Sequence, residues 1–296
     1  MIEKRLYGLE KNLSNLIKLF ENHKLPKVMM LTGKKGQGKF TLVNHLMSYI
    51  FDKKNYSLKD YSILIENKFY NVKDNSNTNI LYFSCIQKNV KIDEIRSLKS
   101  TLEKSSINNL NRFVIFDDVE CLNENCVNAL LKTIEEPSMT NYFILINNQR
   151  QNILETLKSR SIEFMYFLNN SVKIDIIKKL LLDYKIEHKI DLKNSKLTPG
   201  NYLRYNKILL DDKINIDDDL ILNLKKLFKL NKLKKDVDYL NFAIYLVNQY
   251  YFNITRNSSK IDNINNKRIN IIRKIHDASK LNLNHANLLV EIENFI

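Results

Sequence analysis

The chain has 296 residues, of which 44% are apolar, enough for two or three domains with packed cores. These values exclude a disordered or fibrous chain. No window reaches the ~18 consecutive apolar residues of a membrane-spanning helix, and the start lacks the apolar stretch of a signal peptide. We therefore expect a cytoplasmic protein with no membrane partner.

Charge and cysteine content add two weaker constraints. The net charge of +14 is typical of a protein that meets nucleic acid or another polyanion. However, Lys, Asn and Ile are abundant throughout while Gly, Pro and Trp are scarce, a bias that A+T-rich coding gives to any protein. The three cysteines, at 85, 121 and 126, are never spaced C-x-x-C, so we predict reduced thiols and no metal site.

The first half of the chain alternates short apolar runs with amphipathic stretches. The apolar runs predict buried parallel strands at 28–31, 80–83, 113–116 and 143–146. Apolar residues at three- and four-residue spacing predict helices over 13–20, 42–51, 92–102 and 126–134. This alternation is typical of a layered α/β domain. The polar stretch 52–79 has no pattern that assigns it an element.

After about residue 165 the pattern becomes entirely helical. It predicts a turn at Pro199-Gly200 and helices over 171–184, 219–230, 237–252, 266–278 and 284–296. A run of aspartates between 211 and 219 indicates a break. We therefore expect three domains: an α/β domain over 1–165, a small helical unit over 166–211 and an all-α bundle over 212–296.

A glycine-rich segment after the first predicted strand has the pattern of a phosphate-binding loop. Gly33, Gly36 and Gly38 fall within six residues and lead through Lys39 into the next predicted helix. Such glycines let successive backbone N–H groups surround phosphate oxygens, the helix N-terminus adds its dipole, and the lysine reaches the outer phosphates. ATP or ADP is therefore the candidate cofactor.

The same loop lacks a hydroxyl that a magnesium site needs. The residue after the lysine should be Ser or Thr, and here it is Phe40. Thr41 belongs to our candidate nucleotide site, but it lies ~100° further around the helix, so its hydroxyl should face away from the metal. We predict a phosphate-binding loop with a degraded magnesium site.

Polar residues end two of the predicted strands. The run 113–116 leads into Asp117 and Asp118, the form of a Walker B strand whose first acid faces the metal and whose second polarises water. The run 143–146 leads into Asn147, where P-loop ATPases keep a polar sensor of the γ-phosphate. These three residues complete the predicted nucleotide site.

Two further segments resemble a known family. Residues 128–137, N-A-L-L-K-T-I-E-E-P, closely resemble the N-A-L-L-K-x-L-E-E-P signature of bacterial clamp-loader subunits, and T-L-K-S-R-S at 156–161 resembles their T-I-x-S-R-C segment. The resemblance assigns Arg160 the role of an arginine finger on ATP bound by a neighbouring subunit. It runs from about residue 6 to 204 and implies an AAA+ α/β P-loop domain, a small helical lid and an all-α C-terminal collar domain for assembly.

Departures from the ATP-hydrolysing pattern of that family indicate a subunit that is not its motor. Motor subunits have an intact G-K-[ST], an acid pair ending in Glu, four zinc cysteines and a sensor-2 arginine; this chain has Phe40, Asp118, no such cysteines, and Asn201. The chain thus resembles the delta-prime family of DNA polymerase III clamp-loader subunits. The resemblance implies little or no ATPase activity of its own, with polymerase activity belonging to the holoenzyme.

The resemblance also implies partners. These are the motor (gamma- or tau-like) and delta subunits, with the sliding clamp and primer-template DNA reached through the complex. Two other functions stay open. An active clamp-loader ATPase would need a relocated hydroxyl, from Thr41 or Thr32, and would show magnesium-dependent turnover. A basic DNA-binding protein with a relic P-loop would bind DNA without partners and with a steep salt dependence.

Overall fold

The computed structural model of the protein describes residues 3–64, 72–74, 77–86, 90–103, 110–255, 261–281 and 285–293. The chain divides into two compact units. The first contains residues 1–179 and 197–201, and the second contains residues 180–196 and 202–296. The predicted division into three domains, with boundaries at 165 and 211, stays a prediction.

A five-stranded parallel sheet forms the centre of the first unit. From edge to edge its strands are β5 (Ile80–Ser84), β6 (Arg112–Asp117), β7 (Asn141–Asn147), β2 (Val28–Thr32) and β8 (Ile162–Met165). All four neighbouring pairs are parallel. After β2 the chain crosses to β5 at the far edge of the sheet, and the later strands β7 and β8 lie on either side of β2. Such a reversal of strand order marks where α/β sheets form ligand sites, at the carboxyl ends of the strands.

Both faces of this sheet are covered by helices. Leu31 and Ile115 pack on one face with α1 (Glu10–Glu21) and α2 (Lys39–Phe51). Met30 and Val114 pack on the other face with α3 (Ile92–Glu103) and α4 (Glu124–Ile134). Because successive side chains of a strand point to opposite faces, a doubly covered strand needs an unbroken apolar run. The four predicted strands and four predicted helices of the first half are therefore confirmed.

Two parts of the first unit were missed by the sequence analysis. Strand β8 lies at the sheet edge with Ile162 and Met165 57% and 55% exposed, so it lacks a buried strand's apolar run. A second, antiparallel sheet joins β1 (Glu3–Arg5), β4 (Ser62–Leu64) and β3 (Tyr56–Ser57). Strands of two or three residues are too short to show a period. Within 52–79, residues 65–71, 75 and 76 lie outside the described residues.

The remaining elements are helical, as expected for the C-terminal part of the chain. They are α5 (Glu155–Lys158), α6 (Asn170–Tyr184), α7 (Pro199–Asp211), α8 (Leu220–Lys234), α9 (Asp238–Thr255), α10 (Ile261–Leu281) and α11 (His285–Glu293). The predicted turn at Pro199-Gly200 is instead the start of α7, a position that favours proline because its missing N–H needs no partner there. The predicted end of the last helix, 294–296, lies outside the described residues.

Helices α8 to α11 build the core of the second unit around buried apolar side chains. Phe228, Phe242 and Ile271 are almost fully buried, and Tyr205 of α7 stacks on Phe242 with ring centroids 4.7 Å apart. The Asp219 carboxylate begins α8 by accepting the N–H groups of its first turn. No helix in the described ranges is long and apolar enough to cross a bilayer.

Candidate functional site

The glycine-rich segment joins β2 to α2, as predicted. Gly36 and Gly38 have φ angles of +85° and +91°, in the left-handed region that favours glycine. Gly33 is required for a different reason, because a Cβ there would lie 2.6 Å from the carbonyl oxygen of Tyr166. The backbone of the loop thus depends on all three glycines.

Lys39 is buried at the base of this loop. Its side chain turns back so that Nζ donates to the carbonyl oxygens of Gly33 and Lys34, the second at 3.1 Å. Burial lowers the pKa of Lys39 to about 8, and the attraction of Glu120 and two neighbouring carboxylates opposes this shift. The amine is therefore held by the loop and balanced by nearby acids.

The segment that begins α7 contacts the same loop. The Thr198 hydroxyl donates to the Lys35 carbonyl oxygen at 2.7 Å, and the Gly200 N–H donates to the Gly36 carbonyl oxygen at 2.8 Å. A Cβ on Gly200 would lie 2.9 Å from the Gly36 Cα, so the close approach requires glycine on both sides. These contacts hold Asn201, the residue at the expected sensor-2 position, beside the loop.

Phe40 and its neighbours occupy the space beside Asp117. The ring of Phe40 meets that of Tyr82 edge to face, with centroids 5.7 Å apart. The Tyr82 hydroxyl donates to Asp117 Oδ2 at 3.1 Å, and Asn148 Nδ2 donates to Asp117 Oδ1 at 3.1 Å. Both oxygens of the predicted metal-facing acid therefore have protein donors. With the loop hydroxyl also missing, these residues do not fit a magnesium ion.

Asp118 is likewise enclosed by donors of its own chain. Its Oδ1 accepts from Arg150 Nε at 2.8 Å and from Asn148 Nδ2 at 2.9 Å, and its Oδ2 lies 3.3 Å from Lys35 Nζ. Burial by itself raises the pKa of Asp118, but Lys35 and Arg150 reverse this effect and hold that pKa below its ordinary value. A carboxylate with these partners stays charged and fixed in place.

Glu120 is a third acid of this cluster, and the sequence analysis missed it. It is 3% exposed, and its carboxylate accepts the backbone N–H groups of Asn148 and Arg150, each at 3.1 Å. Gln151 donates from its side chain to the Glu120 carbonyl oxygen. Burial raises the pKa of Glu120, although the backbone donors oppose this. The signal available in the sequence was the acid two residues beyond Asp118, facing a polar run at 147–151.

The other predicted site residues divide between the cluster and the surface. Asn147 pairs in register with Thr32, its Nδ2 lies 3.5 Å from the Thr32 Oγ1, and its Oδ1 accepts the Gln149 N–H at 2.9 Å. Thr41 is exposed on α2, and no hydrogen bond joins it to the described cluster. The structure thus brings the loop glycines, Lys39, Asp117, Asp118 and Asn147 together at the carboxyl ends of the strands. Thr41 is not part of this cluster.

Arg160 lies at the opposite end of the strands, where the parallel strands begin. It precedes the amino end of β8, whereas the glycine-rich loop follows the carboxyl end of the parallel strand β2. Its Nε donates to Glu135 Oε1 at 2.7 Å and its Nη1 donates to the Thr156 carbonyl oxygen at 3.2 Å. The side chain is 39% exposed. This arginine therefore faces solvent on the side away from its own loop.

The chain is similar to one protein family, to individual relatives and to a solved structure. The family model described as DNA polymerase III, delta subunit, matches residues 8–168. The chain is 30% identical over 142 residues to the DNA polymerase III subunit delta' of Buchnera aphidicola subsp. Baizongia pistaciae, covering 45% of this chain and 42% of that protein. It is 25% identical over 300 residues to the subunit of the same name in Buchnera aphidicola subsp. Schizaphis graminum, covering 93% and 86%.

Among solved structures, a gamma subunit-related protein of DNA polymerase III from Thermotoga maritima is similar over 95% of this chain and 99% of its own, with a TM-score of 0.51 and 17% identity. At that identity the likeness shows the fold alone, and it confirms the predicted fold class. The match to the Baizongia pistaciae relative spans less than half of that protein.

Proposed function

We propose that this chain, which belongs to the family of DNA polymerase III delta subunits, is a non-motor subunit of the bacterial sliding-clamp loader in DNA replication. The relatives named delta' support this assignment within the family. The chain would hold the motor subunits in a ring and complete the catalytic site of a neighbour.

One observation carries the non-motor assignment. Donors of the same chain engage all four carboxylate oxygens of the predicted catalytic pair, Asp117 and Asp118. Coordination of a metal or activation of a water would have to compete with Tyr82, Asn148 and the ion pairs for these oxygens, and displacing any of these partners would leave a buried polar group unpaired. The glycine-rich loop fits a phosphate group, but its acids are already used by the fold.

The position of Arg160 supports a role in trans. A guanidinium at the amino end of β8 is too far from its own loop to reach a phosphate held there, because the loop follows the carboxyl end of the parallel strand β2, and the side chain is exposed at the surface. A fixed arginine fork stabilises the negative charge that develops on transferring phosphoryl groups, an effect of about 10³ to 10⁵ in GTPases with an arginine finger.

The same proposal extends to partners and domains. The partners are the motor (gamma- or tau-like) and delta subunits, and the sliding clamp and primer-template DNA are met through the complex in the cytoplasm. The lid would comprise residues 166–211, and residues 212–296 would form the collar through which subunits assemble. The family match and the gamma-subunit relatives support an assembly of this kind.

Reconstitution with purified motor and delta subunits tests the proposal. Arg160→Ala should assemble normally yet reduce DNA- and clamp-stimulated ATP hydrolysis in part, because only one of several motor sites is affected. Arg160→Lys should rescue poorly, since a point charge cannot form the planar fork. Arg96→Ala is the matched control, because Arg96 is an exposed arginine in another surface ion pair.

Two results would contradict this function. Unchanged ATP hydrolysis and loading with Arg160→Ala would make Arg160 an ordinary surface residue. A large loss of loading with Lys39→Ala, without loss of folding, would show that the chain works through its own nucleotide site and would favour the active ATPase.

A further inference from the structure

The two segments that resemble the clamp-loader family meet in one ion pair. Arg160 belongs to the segment 156–161, and Glu135 belongs to the segment 128–137. Arg160 Nε donates to Glu135 Oε1 at 2.7 Å. The proposed function gives Glu135 no role. We propose that Glu135 is a positioning residue that orients the Arg160 guanidinium toward a neighbouring subunit; this rests on the proposed function of Arg160.

Glu135 is attached to a rigid element. Its N–H donates to the Leu131 carbonyl oxygen at the end of α4, and Leu131 and Ile134 are buried against the sheet. The carboxylate itself is poorly placed for the helix, because a negative charge at a helix C-terminus opposes the helix dipole. The helix therefore gains no stability from this acid, whereas Arg160 gains a fixed partner.

A second contact restrains the plane of the guanidinium. Arg160 Nη1 donates to the Thr156 carbonyl oxygen at 3.2 Å, and α5, which supplies that carbonyl, is anchored by the fully buried Leu157. Two contacts to different nitrogens of a planar group determine its orientation. Within the described part of the chain the guanidinium has no third partner, so Nη2 and the second Nη1 hydrogen remain available as donors.

The ion pair orients the arginine without locking it. The side chains of Arg160 and Glu135 are 39% and 48% exposed, and pairs this exposed are weak. Such a contact reduces the number of rotamers that the arginine samples, but the arginine can still extend. The gain in rate should match a weak restraint, about two- to fivefold.

The reconstituted complex described above provides the test, with Glu135→Ala, Glu135→Gln and a control at the next residue. Glu135→Ala should assemble normally and lower the rate at the one affected site by about two- to fivefold. The kcat of the whole complex should therefore fall by less than it does with Arg160→Ala. Glu135→Gln should retain most activity, because its amide oxygen still accepts from Nε. Glu136→Ala, at an exposed acid that forms no ion pair with the residues the structure describes, should match the unmodified chain.

A double substitution distinguishes positioning from a general structural role. If Glu135 acts through Arg160, Glu135→Ala should cause no further loss in a chain that already carries Arg160→Ala. A further loss, or unchanged or raised hydrolysis with Glu135→Ala alone, would overturn the positioning role while the effect of Arg160→Ala stands. If Arg160→Ala itself has no effect, the proposed function fails and the positioning role fails with it.

Discussion

The acids at the carboxyl ends of the strands and the arginine at their amino ends differ in how many of their hydrogen-bonding groups are satisfied within the chain. Every carboxylate oxygen of Asp117, Asp118 and Glu120 meets a donor of the same chain. Arg160 is 39% exposed and keeps donors free for another molecule. A group whose partners are all internal stabilises the fold, whereas an exposed group with spare donors can act on a partner. Under the proposed function, the three acids stabilise the fold and Arg160 acts on a partner.

Removing Asp118 should give the largest effect, because it tests the structural half of the comparison. Loss of one partner from a buried ion pair costs about 3–5 kcal/mol. The side chains of Lys35 and Arg150 are 28% and 23% exposed, so water offsets part of the cost and we expect Asp118→Ala to lower the free energy of unfolding by about 2–3 kcal/mol. Urea unfolding of the isolated chain measures this.

The control is Asp93→Ala, at an acid that is 82% exposed in a surface pair, which should change the free energy of unfolding by less than about 0.5 kcal/mol. If Asp118→Ala is as stable as this control, the acid cluster is not a structural device. The contrast with Arg160 would then be lost.

The sequence predicted the sheet and the loop because their signals are local. Apolar runs identify the four central strands, and three closely spaced glycines identify the loop. The partners of Asp118 could not be predicted this way. Lys35, Asn148 and Arg150 are 30 to 83 residues away from it and meet it only after the strands have paired.

The missed strand and the ion pair of Arg160 have different causes. Strand β8 has one neighbour and exposed side chains, so no apolar run distinguished it. Arg160 was identified by resemblance alone, and its contact with Glu135, 25 residues away, depends on how α4 and α5 pack. Edges and surfaces are set by tertiary contacts, and these leave little trace in a single sequence.

The pH dependence of stability gives a second, smaller test, because it reports whether Lys39 is buried in the loop. Its pKa is about 8 in the folded chain, below the ordinary value of 10.5. Between these values the unfolded chain binds more protons, so this lysine makes the folded state more stable as pH rises. Lys39→Met should remove that rise, and the difference in unfolding free energy between the two proteins should change by ~2 kcal/mol from pH 7 to pH 10.

Subtracting the two curves cancels the other groups that titrate in this range. The same substitution at the exposed Lys11 should leave its curve parallel to that of the unmodified chain. Parallel curves for Lys39→Met would mean that the amine is solvated, and the loop would then be more open than the structure has it.

The smallest effect is expected from restoring the hydroxyl that the loop lacks. Phe40→Thr recreates the G-K-[ST] pattern, but Tyr82 and Asn148 still engage both oxygens of Asp117. We therefore expect magnesium to change ADP binding by less than about twofold, measured by titration calorimetry, and ATP turnover by the isolated chain to stay at background. Adding Tyr82→Phe frees one carboxylate oxygen, so the double variant should respond more to magnesium than either single variant.

If Phe40→Thr alone gains magnesium-dependent turnover, the missing hydroxyl was the only defect. Asp117 and Asp118 would then be able to act on ATP despite their internal hydrogen bonds. The contrast between structural acids and a functional Arg160 would no longer hold.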